Sequence, residues 1–137
     1  MIMKKFSQYV SVAVILLAAL VVISSCKKKA EDPIVPSFIV TAITVTLQGG
    51  GEGLQFTAKC TNDDVKMTKV TITDPLATFN QTYNLNGTYF VKNQTFDLQA
   101  ADQAYVKSIG TWRFNYVGNR TADGTSFAAD GSLAVAK

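Results

Sequence analysis

Leu54-Gln55-Phe56-Thr57-Ala58-Lys59-Cys60 changes character at every step. Leu54, Phe56, Ala58 and Cys60 make one row; Gln55, Thr57 and Lys59 make the other. A period of two places successive side chains on opposite faces, which suits a strand buried on one side. The run Gln48-Gly49-Gly50-Gly51-Glu52-Gly53 precedes it and Asn62-Asp63-Asp64 follows it. Both are turn-forming, so the strand has defined ends.

The same period recurs outward in both directions. Upstream, Phe38-Ile39-Val40 leads into Ile43, Val45 and Leu47, with Thr44 and Thr46 between. Downstream, Val65, Met67, Val70 and Ile72 predict a strand, and the change of phase between Met67 and Val70 predicts a bulge. Asp74-Pro75 ends it. Phe79, Tyr83 and Leu85 then predict a strand that turns at Asn86-Gly87, a strong hairpin signal, and returns through Tyr89 and Val91. Phe96 and Leu98 suggest a short strand, and Ala100 to Ser108 a helical turn or corner. Trp112, Phe114 and Tyr116 alternate with Arg113 and Asn115; Gly118 to Gly124 reads as a loop, and Phe127 to Val135 as a last strand. No long stretch has helical periodicity. The expectation is an all-β, antiparallel β-sandwich of about seven strands over 38–137, with a small lipocalin-like barrel as the alternative.

Gly110-Thr111-Trp112-Arg113-Phe114, then Asp123-Gly124-Thr125-Ser126-Phe127 and Leu133-Ala134-Val135, resembles the last two strands of bacterial immunoglobulin-like domains. The resemblance implies an immunoglobulin-like sandwich, without the antibody cysteine pair. It carries no functional residue. Gly-Thr-Trp also occurs in lipocalin-like proteins, but near the start of the domain.

The N-terminus has a different composition. Met1 to Lys5 is short and basic, and Met3 would serve as a start as well as Met1. Phe6 to Ile23 is mostly apolar. Ile23-Ser24-Ser25-Cys26 follows, and resembles the lipobox of bacterial lipoproteins, with Ser-Cys-Lys-Lys-Lys and a later acidic pair similar to those of Bacteroidetes-type bacteria. The resemblance implies a signal peptide over 1–25, forming a helix before removal, cleavage between Ser25 and Cys26, and acyl chains on Cys26. Lys27, in place of an aspartate, implies the outer membrane, facing either the periplasm or the cell surface. An uncleaved transmembrane anchor is the rival, since the apolar run is at the short end of spanning length. Residues 26–37 read as the lipidated Cys and a charged, proline-bearing tether.

The formal net charge is +3. Lys4, Lys5, Lys27, Lys28 and Lys29 supply the excess; Pro33 to Lys137 holds eight basic and eight acidic residues. A neutral domain does not point to nucleic acid, and the lysine triplet beside Cys26 reads as a headgroup contact. The expected partners are a membrane, through the N-terminal lipid, and an envelope protein or glycan.

The sequence contains no histidine. That removes the commonest general base and metal ligand, so no enzyme, cofactor or metal is expected. Asp63, Asp64, Asp97, Asp102, Asp123 and Asp130 all lie beside turn-forming residues, where capping is the expected role. Cys60 falls on an apolar face and reads as a buried thiol. Tyr83, Tyr89 and Phe90 are the candidate ligand-binding residues, with Tyr83 and Tyr89 expected to pair across the Asn86-Gly87 turn. Phe90 is out of phase with Tyr89 and Val91, so one face of this strand exposes an aromatic, or the strand is an edge.

Overall fold

A computed structural model describes residues 32–137. The signal helix, the Ser25–Cys26 cleavage point and residues 26–31 of the tether lie outside the described residues. Eight strands follow: β1 (Phe38–Thr46), β2 (Glu52–Cys60), β3 (Val65–Thr73), β4 (Asn80–Phe90), β5 (Thr95–Asp97), β6 (Tyr105–Val106), β7 (Gly110–Arg120) and β8 (Ser126–Val135). They form two antiparallel sheets. One has the order β1-β2-β5, with β6 also on β2; the other has the order β4-β3-β7-β8. The strands do not close into a barrel, which corrects the lipocalin-like alternative.

The period of two becomes the core. On β2, Leu54, Phe56, Ala58 and Cys60 are buried; on β7, Trp112, Phe114 and Tyr116 are buried. The two rows meet. The Phe56 ring lies 4.9 Å from Trp112 and 5.1 Å from Phe114, centroid to centroid. Phe38 stacks on Tyr116 at 4.1 Å, and burial pushes the Tyr116 hydroxyl pKa upward. Val65, Met67, Val70 and Ile72 complete the layer from β3. Thr68 is the extra residue of the expected bulge: Met67 faces Gly118 and Lys69 faces Val117 across the β3–β7 pair.

The Asn86-Gly87 hairpin is not formed. β4 is one strand whose two halves both pair with β3. Asn86 and Gly87 do take the positive φ that this pair favours, 51° and 75°. The turn, however, protrudes sideways as a bulge. Met67 lies opposite Thr88 and Lys69 opposite Asn84, so Leu85, Asn86 and Gly87 face Thr68 alone. Local turn chemistry set the dihedrals, while burial chose the partner: Val65 and Val70 give both halves of β4 an apolar strand to join. Tyr83 and Tyr89 therefore lie along one strand and do not pair.

Ala100 to Ser108 contains no helix. Tyr105 and Val106 pair with Leu54 and Gly53 as β6. β2 thus has β5 at one end and β6 at the other. Gln99 fills the gap between them, its Oε1 accepting from the Phe56 N–H at 2.8 Å beside the Leu98 N–H to Phe56 carbonyl bond.

The compact unit begins at Ile34, before β1. Asn62 clamps this lead-in: its Oδ1 accepts from the Ser37 N–H at 2.8 Å and its Nδ2 donates to the Val35 carbonyl at 3.1 Å. The Thr61 N–H donates to the Ser37 carbonyl, and Pro36 is buried. The last residues of the expected tether are therefore docked on the domain.

Candidate functional site

The three candidate aromatics go to three environments. Phe90 is buried and stacks on Phe96 at 4.3 Å, bridging β4 to β5. It belongs to the core. Tyr89 is the exposed aromatic of β4, and its hydroxyl donates to Asp64 Oδ2 at 3.1 Å. Tyr83 points inward opposite Val70 and packs against the core rim. They do not form one aromatic face.

Phe90 and Phe96 close the space between the sheets at one end of β4. At the other end the space stays open. Gln81 pairs with Ile72 and so shares its inward-facing side, yet Gln81 is exposed. Across from it come Gln99, Gln103, Ala104 and Tyr105, and together they line a cleft of about 340 Å³. A second cleft of about 620 Å³ shares Gln81, Ala104 and Tyr105 and extends past Phe79 and Asn80 to Asp74 and Thr78. Phe79 is half-buried, its ring within 7° of parallel to Tyr105 at 6.3 Å. The Tyr105 hydroxyl donates to the Leu98 carbonyl at 2.9 Å. Burial, helped by the nearby Tyr83 hydroxyl, pushes its pKa up to about 12, so it stays a neutral donor. This mouth of the sandwich is the candidate site. Tyr83 lies near Tyr105 but lines neither cleft, and nothing in the sequence pattern marked the glutamines.

Asp74 shapes one wall. Its Oδ1 accepts from the backbone N–H groups of Thr78 and Phe79 at 2.7 and 3.1 Å, and its Oδ2 from the Thr78 hydroxyl at 2.6 Å. Burial pulls its pKa upward, but those donors and the Leu76 N–H outweigh it and hold the carboxyl below its ordinary 3.8. A carboxyl with a depressed folded pKa stabilises the fold above its unfolded value, and loses that contribution as pH falls through the folded one. Asp74→Asn should therefore flatten the loss of melting temperature below about pH 4. Melting curves through the acid range check this; an unchanged acid slope would contradict it.

The acidic end of the sandwich is built around a guanidinium. Arg120 Nε donates to Asp63 Oδ2, and Nη1 to Asp123 Oδ2 at 2.6 Å. The Asp63 bond, above all, raises the arginine pKa, and the Thr125 N–H holds Asp123 below its usual range. Asp64 accepts from the Lys92 N–H at 2.7 Å. Asp130 sits apart on β8, accepting from Asn115 Nδ2 at 2.8 Å. The positive charge among these carboxylates is the protein's own. Among the described residues, no group of three His, Cys, Asp or Glu is placed to hold a metal. Cys60 is buried in the core, as its position in the alternation predicts.

Comparison with family models, curated proteins and solved structures found no match to this chain.

Proposed function

We propose that this chain is a lipid-anchored module of a bacterial cell envelope, presenting a small β domain that binds a partner without catalysis. The observation that carries this reading is Ile23-Ser24-Ser25-Cys26 at the end of an apolar run, ahead of a compact domain that starts within a few residues of it. Acylation of Cys26 with two or more chains would hold the protein stably on the outer membrane. Residues 27–33 would then be the free tether, reaching at most about 25 Å when extended.

Two features support the rest. The strand order β1-β2-β5 against β4-β3-β7-β8 favours an immunoglobulin-like topology, matching strands A-B-E against C′-C-F-G. The carboxylates Asp63, Asp64, Asp74, Asp123 and Asp130 are each occupied in hydrogen bonds or ion pairs, which favours a binding role over acid–base chemistry. The cleft under β4 supplies the binding surface.

Intact-mass measurement of protein extracted from membranes is expected to give a chain beginning at Cys26 with acyl mass added. Cys26→Ala should move most of the protein from the membrane pellet to the soluble fraction. A native chain with its leader attached and its Cys26 thiol free overturns the reading.

A further inference from the structure

We infer that the cleft under β4 is a subsite for a neutral glycan, with the side-chain amides of Gln81, Gln99 and Gln103 holding its hydroxyl groups. The inference rests on reading the domain as a binding module, and is independent of how the chain is anchored.

Gln99 is the decisive residue. It is only 7% exposed, yet polar. Its orientation is fixed by chemistry: the Phe56 N–H can only donate, so the amide oxygen must face it, 2.8 Å away. That leaves Nε2, with two donors, toward the cleft that Gln99 lines, and no acceptor among the described residues meets it. Tyr116 Oη is the one buried side-chain polar atom without a partner among the described residues, so Gln99 Nε2 reaches the open cleft, where a ligand hydroxyl can replace the water that meets it.

The rest of the lining selects the ligand class. Gln81, Gln99, Gln103, Ala104 and Tyr105 include no charged side chain. Asp74, at the far wall, has its oxygens taken by Thr78 and Phe79. An ionic ligand would find no counter-charge. Amides both donate and accept, as do hydroxyl groups, so the two match in kind. The half-buried Phe79 ring adds an apolar surface beside the amides, suited to the C–H face of a sugar ring. On β2 the edge beside the cleft is already occupied by β5, Gln99 and β6, which leaves an extended peptide only the outer edge of β4. The volume, about 340 Å³ in the glutamine cleft alone, falls in the range of small-ligand sites.

The test reads the amides themselves. The full-length chain, labelled with nitrogen-15 and held in detergent micelles, is titrated with maltotetraose, cellotetraose, xylotetraose and mannotetraose. Tetragalacturonate serves as the ionic probe and an N-acetylated trialanine amide as the peptide probe. At least one neutral tetrasaccharide should shift the side-chain amide signals of Gln81, Gln99 and Gln103. Gln81→Ala combined with Gln103→Ala should weaken that binding about tenfold or more, with the melting temperature unchanged. Both side chains are exposed, and alanine keeps the Gln103 carbonyl that accepts from Gln55. The inference falls if all four neutral probes leave the amide signals in place, if the ionic or peptide probe shifts them more, or if the double variant binds as tightly. None of these outcomes bears on membrane fractionation of Cys26→Ala, so failure of the glycan inference and failure of the anchor are separable.

Discussion

Trp112→Ala is expected to lower stability by about 3–5 kcal/mol, the range for deleting a large buried aromatic. Trp112 is fully buried on β7 and touches aromatic rings from three directions: Phe56 at 4.9 Å, Phe79 at 5.9 Å and Tyr105 at 6.2 Å. Its indole N–H also donates to the Ser108 carbonyl at 2.9 Å. Alanine removes the ring, opens a cavity between the two sheets and frees that carbonyl. For a domain of this size the melting temperature should fall on the order of 20 °C. Trp112 is the sole tryptophan, so far-UV circular dichroism must follow the transition. Trp112→Phe should cost less, because it keeps most of the ring packing. A loss below about 1 kcal/mol for the alanine variant would mean that the ring does not join the sheets.

Gly118→Ala has the second large effect, and its sign is the reverse of the usual one. Alanine in place of a strand glycine ordinarily gains about 0.5–1 kcal/mol. Here β3 bulges toward β7 at Thr68, bringing the Lys66 carbonyl against Gly118. An added Cβ would collide with that oxygen and lie 3.2 Å from the Met67 Cα. Both neighbours are backbone, so relief requires the bulge to move. The expected loss is about 2–3 kcal/mol, as for overpacking of a closed interior. Gly49→Ala is the comparison, because nothing lies within 4 Å of its added Cβ. Denaturant titration followed by Trp112 fluorescence separates the two. Equal midpoints would show that the strands do not approach so closely.

The sequence made the β architecture legible wherever burial follows the period of two. β2 from Leu54 to Cys60 and β7 from Thr111 to Tyr116 alternate without interruption, and their buried rows are the ones the pattern names. The β3 bulge was legible from a phase change, because an inserted residue shifts every later side chain by one face. β4 shows where such reasoning fails. Tyr83 and Leu85 face inward at odd positions, but Phe90 faces inward at an even one. The protruding turn changes the phase, so extending the Tyr83 pattern put Phe90 outside. Nothing in a period can show whether an Asn-Gly pair ends a strand or interrupts it; that depends on which neighbour has a free edge. The cleft was still harder to foresee. Gln99 is buried because β2 lacks a strand partner between β5 and β6, a fact of pairing between distant segments. Asp74 is buried for a local reason, the turn it caps, and Asp74-Pro75 did mark that turn.

The sideways knuckle at Asn86-Gly87 matters beyond this one fold. β4 runs eleven residues along the outer rim of its sheet without a charged side chain, a composition that invites a foreign strand to add on. A straight strand of that kind is a template for amyloid-like stacking. With its ladder interrupted midway, β4 offers an incoming chain only short, mismatched stretches. Where no charge guards this edge, the two residues break it.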